Sequence, residues 1–300
     1  MVKIMKYWDS FWSGGADSGC IGTTDKLREL FQSYYESWEQ VAKEVVKTRK
    51  SGFRCLDVAC GKGEVSKVLS EQLSGIAVSF TGIDRANISY SLDMPEHSVE
   101  LFSGDNFEKF FNTNKKFELI VSSFGIEYLP LEESIRLLKE YIENDGLVAL
   151  NTHLNDSIIS KVSLEEISAI RDFFNDDKLE LIEKELSSHF NVELAKAYLV
   201  RLNELNEQND GRLAGCGLTD AVVSAFSSSQ RKMSTSIDLK RVKLTYEDYI
   251  ERLNDQLRAS RRAQELKPLI NKLGFEVLFS KKLYNVKNEL TSQFLLLRKY

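Results

Sequence analysis

Two glycines separated by one residue follow an aspartate in the segment CLDVACGKGEVSKVL, residues 55–69. An apolar run ends at Asp57, the chain passes through Gly61 and Gly63, and a helix-like pattern begins. A glycine turn after a strand lets a ligand lie against bare backbone and the N-terminus of a helix. The segment predicts a site for a dinucleotide, a phosphate or another ligand, unless the glycines only form a tight turn.

The spacing of the glycines weakens two of these alternatives. The dinucleotide fingerprint is G-x-G-x-x-G, and its third glycine lets the helix pack closely on the strand. Counted from Gly61, that third position is Ser66, and the phosphate-loop pattern G-x-x-x-x-G-K-[ST] does not occur in the sequence. Other residues must therefore identify the ligand.

Polar residues also follow the next two predicted strands. Asp84 ends the segment IAVSFTGIDRA, at a position where a carboxylate can accept both hydroxyls of a ribose. The alternatives are a solvated loop acid and the N-cap of the next helix. Asp105 and Asn106, in FSGDNFEKF, could hydrogen-bond an exocyclic amine such as that of adenine, or form an Asx-type turn.

Candidates for the chemistry itself follow the fourth and fifth predicted strands. In FELIVSSFGIEYLP, Glu127 could accept a proton or hold a substrate ammonium, or be an ordinary charge ahead of a helix. His153 follows the segment DGLVALNTH and could act as a general base, because histidine titrates near neutrality. A plain surface or strand-end histidine is the alternative reading.

Strands and helices alternate through the segment that must position these residues. The predicted strands lie in FRCLDVA, IAVSFTGIDRA, SVELFSG, KFELIVSS and DGLVALNTHL, and the helices between them include GEVSKVLSEQLS and PLEESIRLLKEYIE. Alternation at this spacing predicts an α/β fold with a doubly wound, mostly parallel sheet and helices on both faces. Continuous apolar runs such as LIVSS and LVALN are typical of parallel strands buried on both faces.

The flanking segments predict further parts. A helix is predicted over residues 24–48, with Thr24 or Asp25 as N-cap. Residues 155–245 predict a mainly helical insertion with a loose Gly- and Ser-rich end, and Pro268 is expected to break or kink the helix after it. Two β-rich runs at the C-terminus can pair as a hairpin. The predicted domains are 1–48, 49–154 with 246–300, and 155–245.

Composition excludes several classes of function. The chain has 300 residues, 42% of them hydrophobic, a net charge of −5 and a pI near 5.5, which argues against a nucleic-acid-binding protein. No apolar run approaches the roughly 18 residues of a membrane span, and no signal peptide is predicted. Four scattered cysteines without a CxxC pair predict no metal site and no disulfide framework, and favour the cytoplasm.

Four motifs in order, LDVACGKGE, TGIDRAN, GDNFEKF and FELIVSSFGIEYLP, resemble the successive motifs of class I S-adenosylmethionine-dependent methyltransferases. The pair GFEVLFSKKLYN and SQFLLLRKY resembles that family's reversed last strand. The resemblance covers residues 50–154 closely and 245–300 in outline. It implies a Rossmann-like, seven-stranded sheet with an antiparallel last strand, and S-adenosylmethionine as the cofactor.

The resemblance also implies roles for the matching residues. Asp57 would face the methionine ammonium, and Asp84 would bind the ribose diol. Backbone against the cofactor would come from Ala59, Cys60, Gly61 and Gly63, and the adenine would be contacted by Arg85, Asp105 and Asn106. Ser122 or Ser123 would reach the methionine portion. The family often has glycine where this chain has Ala59, and alanine is the smallest possible change.

Aromatic residues near the N-terminus suggest the acceptor side of such a site. The segment YWDSFWSGGADSGC carries Tyr7, Trp8, Phe11 and Trp12 at near-helical spacing. These residues could form a lid over the cofactor with SGGADSG as its hinge, or pack a first helix against the core. Phe124, which follows the fourth strand, is a further substrate-binding candidate with Tyr7, Trp8 and Trp12. Tyr128, beside Glu127, is a catalytic candidate with Glu127 and His153.

The expected function is methyl transfer to a nitrogen or oxygen of a small molecule, with the insertion as a cap over the acceptor pocket. The insertion could equally be a homodimer interface, so the chain is expected to be a monomer or a homodimer. Methylation of a protein or peptide is one alternative, and a non-catalytic S-adenosylmethionine-binding scaffold is another. The basic runs LKRVK and RASRR are read as solvated helix faces, with no nucleic-acid or membrane partner.

Overall fold

Seven strands of the chain form one sheet. The computed structural model describes residues 6–13, 25–49, 51–88, 96–188, 191–231, 239–270 and 274–300. The strands are β1 (Phe53–Val58), β2 (Val78–Asp84), β3 (Ser98–Ser103), β4 (Phe117–Ser123), β5 (Ile142–His153), β6 (Phe275–Tyr284) and β7 (Leu290–Lys299). Their order in the sheet is β3-β2-β1-β4-β5-β7-β6.

The first five strands are parallel, and β7 pairs antiparallel with both β5 and β6. The predicted doubly wound sheet with a reversed last strand is confirmed. The direction in which the chain adds strands reverses between β1 and β4, because β2 and β3 lie on one side of β1 and β4 and β5 on the other. Ligands of open α/β sheets bind outside the carboxyl ends of the strands at such a point.

Helices cover both faces of the sheet in the first compact unit, Met1–Ser160 with Asp255–Tyr300. Its helices are α1 (Lys6–Ser13), α2 (Asp25–Leu30), α3 (Gln32–Thr48), α4 (Glu64–Gln72), α5 (Leu131–Tyr141) and short 3₁₀ helices at Gly104–Asn112 and Ile126–Tyr128. The predicted helix over 24–48 is divided at Phe31, and Thr24 lies outside the described residues.

Alternate residues of the strands enter two separate hydrophobic cores. Cys55, Leu119 and Val121 pack with residues of α3 such as Trp38, whereas Leu56 and Ile120 pack on the opposite face of the sheet. Both faces of β1 and β4 are therefore buried, as expected for parallel strands covered by helices. Asp57 and Ser123 lie near the carboxyl ends of β1 and β4, so the packed sheet fixes their positions.

The described residues of the second compact unit, Lys161–Asn254, form helices joined by short turns. Helices α6 (Ile158–Phe174) and α11 (Leu239–Ile270) extend beyond its limits, and α7 (Asp177–Ser188), α8 (Val192–Gln208), α9 (Arg212–Gly215) and α10 (Leu218–Arg231) lie within it. The segment expected to be a loose end contains α10, because Leu218, Val222 and Phe226 recur at every fourth position and are buried. Helix α11 continues through Pro268 and ends two residues later.

Candidate functional site

A cavity of about 340 Å³ lies at the carboxyl ends of β1, β2 and β4, within the first unit. Its wall is formed by the glycine turn after β1, the loop after β2, the 3₁₀ helix at 104–112, the loop after β4, helix α1 and one residue of α11. The cavity is thus at the reversal of strand order. This is the position at which sheets of this topology bind small molecules.

The turn after β1 uses left-handed backbone at three positions. The φ angles of Ala59, Gly61 and Gly63 are 54°, 49° and 76°. This region suits glycine and is costly for alanine, so Ala59 carries local backbone strain. A Cβ atom at Gly61 would lie 2.4 Å from a ring carbon of Trp12, so only glycine allows the α1 ring to contact the turn.

Asp57 is buried at the end of β1, with 1% of its surface exposed. The Ser66 hydroxyl donates a hydrogen bond of 2.7 Å to its Oδ2. Burial raises the pKa of Asp57 to about 7; the Ser66 hydrogen bond opposes this shift and the charge of Asp84 adds to it. Ser66 occupies the position of the missing third glycine, and its hydroxyl therefore has a specific partner in the site.

Asp84, at the end of β2, is held by two backbone donors. The Gly61 N–H donates to Oδ2 at 2.9 Å, and the Ala86 N–H donates to Oδ1 at 2.8 Å. Burial raises the pKa of Asp84 to about 6, against the lowering effect of these two hydrogen bonds. A carboxylate has about four acceptor positions, so each oxygen keeps one for a ligand hydroxyl.

The two serines at the end of β4 have different roles. The Ser122 hydroxyl donates to the Val58 carbonyl at 2.8 Å and accepts from the Ile126 N–H at 2.9 Å. Ser122 thus connects β1 to the turn that follows β4, and it does not line the cavity. Ser123 lines it, and its Oγ lies 3.2 Å from both Tyr34 Oη and Asn151 Nδ2.

Glu127 and His153 form a buried pair behind the cavity wall. Glu127 Oε1 accepts the His153 backbone N–H at 2.9 Å and lies 2.8 Å from His153 Nδ1. Neither residue lines the cavity. The His153 ring centroid lies 4.4 Å from that of Phe124 and 5.8 Å from that of Tyr128, and both of these aromatic residues do line it.

Helix α1 closes another part of the wall. Its Trp8 indole N–H donates to Asp255 Oδ2 at 3.2 Å, and the Tyr7 hydroxyl donates to the same oxygen at 3.3 Å. Asp9 Oδ1 accepts the Asn87 N–H at 2.7 Å, which ties α1 to the loop after β2. Trp8 and Trp12 line the cavity and Tyr7 does not. The proposed hinge lies mostly outside the described residues.

Asp255 is the site residue that sequence reasoning missed. It lines the cavity, yet it comes from α11, in a strongly charged segment about 200 residues after the glycine turn. No motif or spacing separates it from the other acids of that helix. Only the hydrogen bonds with Tyr7 and Trp8 reveal its position.

Two residues expected at the adenine lie outside the cavity. Asp105 and Asn106 are exposed, because the 3₁₀ helix turns Phe107 and Phe110 into the core and these neighbours outward. Phe107 lines the cavity in their place, as does Glu108. Arg85 also lines it and forms an ion pair of 3.2 Å with Glu133.

Within the described residues, no group of three or more His, Cys, Asp or Glu side chains is placed to hold a metal ion. No helix in that part of the chain combines the length and apolar character needed to cross a bilayer.

A protein-family model described as "Methyltransferase domain" matches residues 30–205. No curated protein sequence matches the chain. Similar solved structures include magnesium protoporphyrin IX methyltransferase from Synechocystis PCC 6803 with bound SAH (9% identity, 98% of this chain and 94% of that chain, TM-score 0.43). Coclaurine N-methyltransferase bound to N-methylheliamine and SAH is another (13% identity, 100% and 79%, TM-score 0.38).

The plantazolicin methyltransferase BpumL, in complex with a monoazolic desmethylPZN analog and SAH, is a third (20% identity, 53% and 63%, TM-score 0.36). Four of the similar solved structures, BpumL among them, are matched over only 35–63% of their own lengths.

Proposed function

The chain belongs to the class I S-adenosylmethionine-dependent methyltransferases, and we propose that it transfers a methyl group to a nitrogen or oxygen atom of a small molecule. The family model covers more than half of the chain, which confirms the resemblance drawn from the four motifs. The expected cofactor, S-adenosylmethionine, is confirmed with it. The acceptor, the site residues and the cytoplasmic location are proposals.

The residues at the ends of β1 and β2 fit this cofactor. Asp84 keeps one acceptor position on each oxygen, which suits the two hydroxyls of a ribose. Asp57 supplies a buried carboxylate that can face a cationic ammonium group, and burial raises the pKa of both Asp57 and Asp84. The turn lines the cavity through Ala59, Cys60 and Lys62, whereas Gly61 and Gly63 shape its backbone and do not line the cavity.

The chemistry asks little of the protein beyond position and exclusion of water. Bound S-adenosylmethionine supplies a methyl group already activated on a sulfonium sulfur. The chain's own residues must align the acceptor in line with that methyl group and keep the region dry. Trp8, Phe124 and Tyr128 offer an apolar aromatic wall for this task. We assign Glu127 and His153 the task of holding Phe124 and Tyr128 in place.

A small acceptor is supported by the size of the cavity and by the cover that α1 provides. About 340 Å³ lies at the lower end of the range for small-molecule sites, about 300–1,000 Å³. The single observation that carries the proposal is the convergence of Asp57, the glycine turn and Asp84 on this cavity. That convergence fits the family's cofactor, and Trp8, Phe124 and Tyr128 line the same cavity.

Calorimetry tests the proposal directly. We expect S-adenosylmethionine and S-adenosylhomocysteine to bind at micromolar concentrations and NAD to give no heat. Incubation with S-adenosylmethionine and a small-molecule extract should then yield products heavier by one methylene unit. Binding of NAD without either sulfur ligand would overturn the site assignment, and cofactor binding without any methylated product would favour a non-catalytic scaffold.

A further inference from the structure

The wall of the cavity is strongly acidic. Among the described residues that line it, six are acidic: Asp9, Asp57, Glu64, Asp84, Glu108 and Asp255. Two are basic, Lys62 and Arg85, and Arg85 is already paired with Glu133. A wall of this charge repels carboxylate and phosphate ligands and attracts cations. The roles proposed in cofactor binding involve only Asp57 and Asp84 among these six acids.

Asp255 is the lining acid that accepts hydrogen bonds from the aromatic residues Tyr7 and Trp8 of α1. The proposed cofactor roles use Asp57 and Asp84, and Asp9 is held by the Asn87 N–H. The Asp255 side chain is only 4% exposed. Its one cationic neighbour among the described residues, Arg258, is 3.3 Å away and 46% exposed, so solvent screens this ion pair.

The side chains around Asp255 are aromatic. Trp8 donates to its Oδ2, and the Trp8 ring meets the Tyr128 ring edge-on with centroids 5.2 Å apart. Trp8, Tyr128 and Asp255 all line the cavity. Aromatic faces together with a carboxylate are the surroundings that favour an organic ammonium, through cation–π attraction and a charge-assisted hydrogen bond.

We propose that the methyl acceptor is an amine, which binds as its ammonium cation to Asp255 against the aromatic wall of Trp8 and Tyr128. The proposal rests on the proposed function, and it selects nitrogen from the two acceptor atoms considered there. Asp255 is then the residue that selects an amine as the acceptor. The roles proposed for Asp57 and Asp84 in cofactor binding stay the same.

The transfer balances for such an acceptor. The ammonium must first release one proton to bulk solvent, outside the dry part of the cavity, which frees the nitrogen lone pair. The nitrogen–carbon bond forms as the carbon–sulfur bond breaks, and the sulfur keeps the electron pair of the broken bond. The product is the methylated ammonium, with one more carbon and the same single positive charge.

Binding of matched probes to the protein saturated with S-adenosylhomocysteine tests the charge requirement without knowledge of the natural acceptor. The probes are 2-phenylethylamine, 2-phenylethanol and 3-phenylpropionate, which share a phenyl group and differ in charge. We expect the amine to bind about tenfold more tightly than the alcohol, and the carboxylate most weakly.

Asp255→Asn should bring the affinities for amine and alcohol together. Asp156→Asn is the matched control, because Asp156 is an exposed acid paired with Lys282 and should leave the preference intact. Melting temperature and affinity for S-adenosylhomocysteine establish that each variant is folded. If Asp255→Asn does not fold, the order of the three probes on the wild-type protein decides.

Equal affinity for amine and alcohol, no binding of any probe, or a preference that survives in Asp255→Asn would each overturn the amine proposal. Methylated products from a small-molecule extract give an independent readout, in which N-methyl products are expected and O-methyl products contradict it. Failure of the wild-type protein to bind S-adenosylhomocysteine would instead overturn the proposed function, so the two failures are distinct.

Discussion

The two halves of the cavity are built in different ways. The proposed donor half consists of Asp57, the turn at residues 59–63 and Asp84, and its hydrogen bonds join residues 9 and 23 positions apart. The proposed acceptor half consists of Trp8, Tyr128 and Asp255. Its hydrogen bond from Trp8 to Asp255 joins residues 247 positions apart. One half is nearly local in sequence, and the other depends on the folded chain.

The difference has a physical consequence for each half. The donor half lies at the ends of strands that are buried on both faces, so the sheet itself fixes its side chains. In the acceptor half Tyr128 follows β4 directly, whereas Trp8 lies on the short helix α1, which is tied by hydrogen bonds to Asp255 and to the loop after β2. We therefore expect changes in the donor half to alter cofactor affinity strongly, and changes near the acceptor half to leave it largely intact.

The largest expected effect comes from Asp84→Ala. The change removes the carboxylate proposed to hold the ribose and leaves the Gly61 and Ala86 N–H groups without their acceptor. The two ribose hydroxyls would each lose a hydrogen bond to a charged carboxylate. We therefore expect affinity for S-adenosylhomocysteine, measured by calorimetry, to fall by about 100-fold.

Asp105→Ala is the matched control for this variant. Asp105 was also expected to contact the adenosine moiety, yet it is exposed and does not line the cavity. Its removal should leave the affinity within about twofold of wild type, since it contributes no contact there. An equal loss in both variants would contradict the division between Asp84 and Asp105.

A smaller effect is expected from Glu127→Ala, behind the acceptor half. The change leaves the His153 backbone N–H and Nδ1 without the carboxylate oxygen that they share. A buried donor left unpaired costs about 1–3 kcal/mol, so the free energy of unfolding in urea should fall by about 2 kcal/mol.

Affinity for S-adenosylhomocysteine should change little in Glu127→Ala, because Glu127 does not line the cavity. The exposed Glu132→Ala serves as its control, with unchanged unfolding. A large loss of cofactor affinity with normal stability would show that Glu127 belongs to the donor half.

The pH dependence of cofactor affinity should show the smallest effect and should arise in the donor half. Burial raises the pKa of Asp57 to about 7 and that of Asp84 to about 6, above the unfolded value near 3.9. Between pH values of about 4 and 7 the folded protein therefore binds more protons than the unfolded chain. These two acids make the free energy of unfolding fall as the pH rises through that window.

Binding of the cationic cofactor favours the ionised carboxylates. Affinity for S-adenosylmethionine should therefore rise by up to about tenfold between pH values of about 6 and 7, just below the pKa of Asp57, with proton release on binding. Calorimetry in buffers of different ionisation enthalpy measures that release. Asp57→Asn should flatten the upper part of the profile, and a flat wild-type profile would contradict the assignment.

Much of this structure follows from local sequence patterns. Apolar runs alternating with helical segments predicted the sheet, and they placed Asp57, Gly61, Gly63 and Asp84 together because parallel strands end at one edge. The partner of Ser66 was not predicted, since a missing glycine does not reveal that a hydroxyl will reach Asp57. Glu127 and His153 were each singled out, and their pairing emerged only when β5 was placed beside β4.

By itself the sequence determined the fold and the donor half, because strand periodicity and short-range turns are set by neighbouring residues. Tertiary structure alone decided which way the 3₁₀ helix turns Asp105 and Asn106, since that depends on where Phe107 and Phe110 find a core. It alone brought Asp255 to Trp8 across 247 positions. Such a contact arises from the packing of distant helices, for which no local pattern exists.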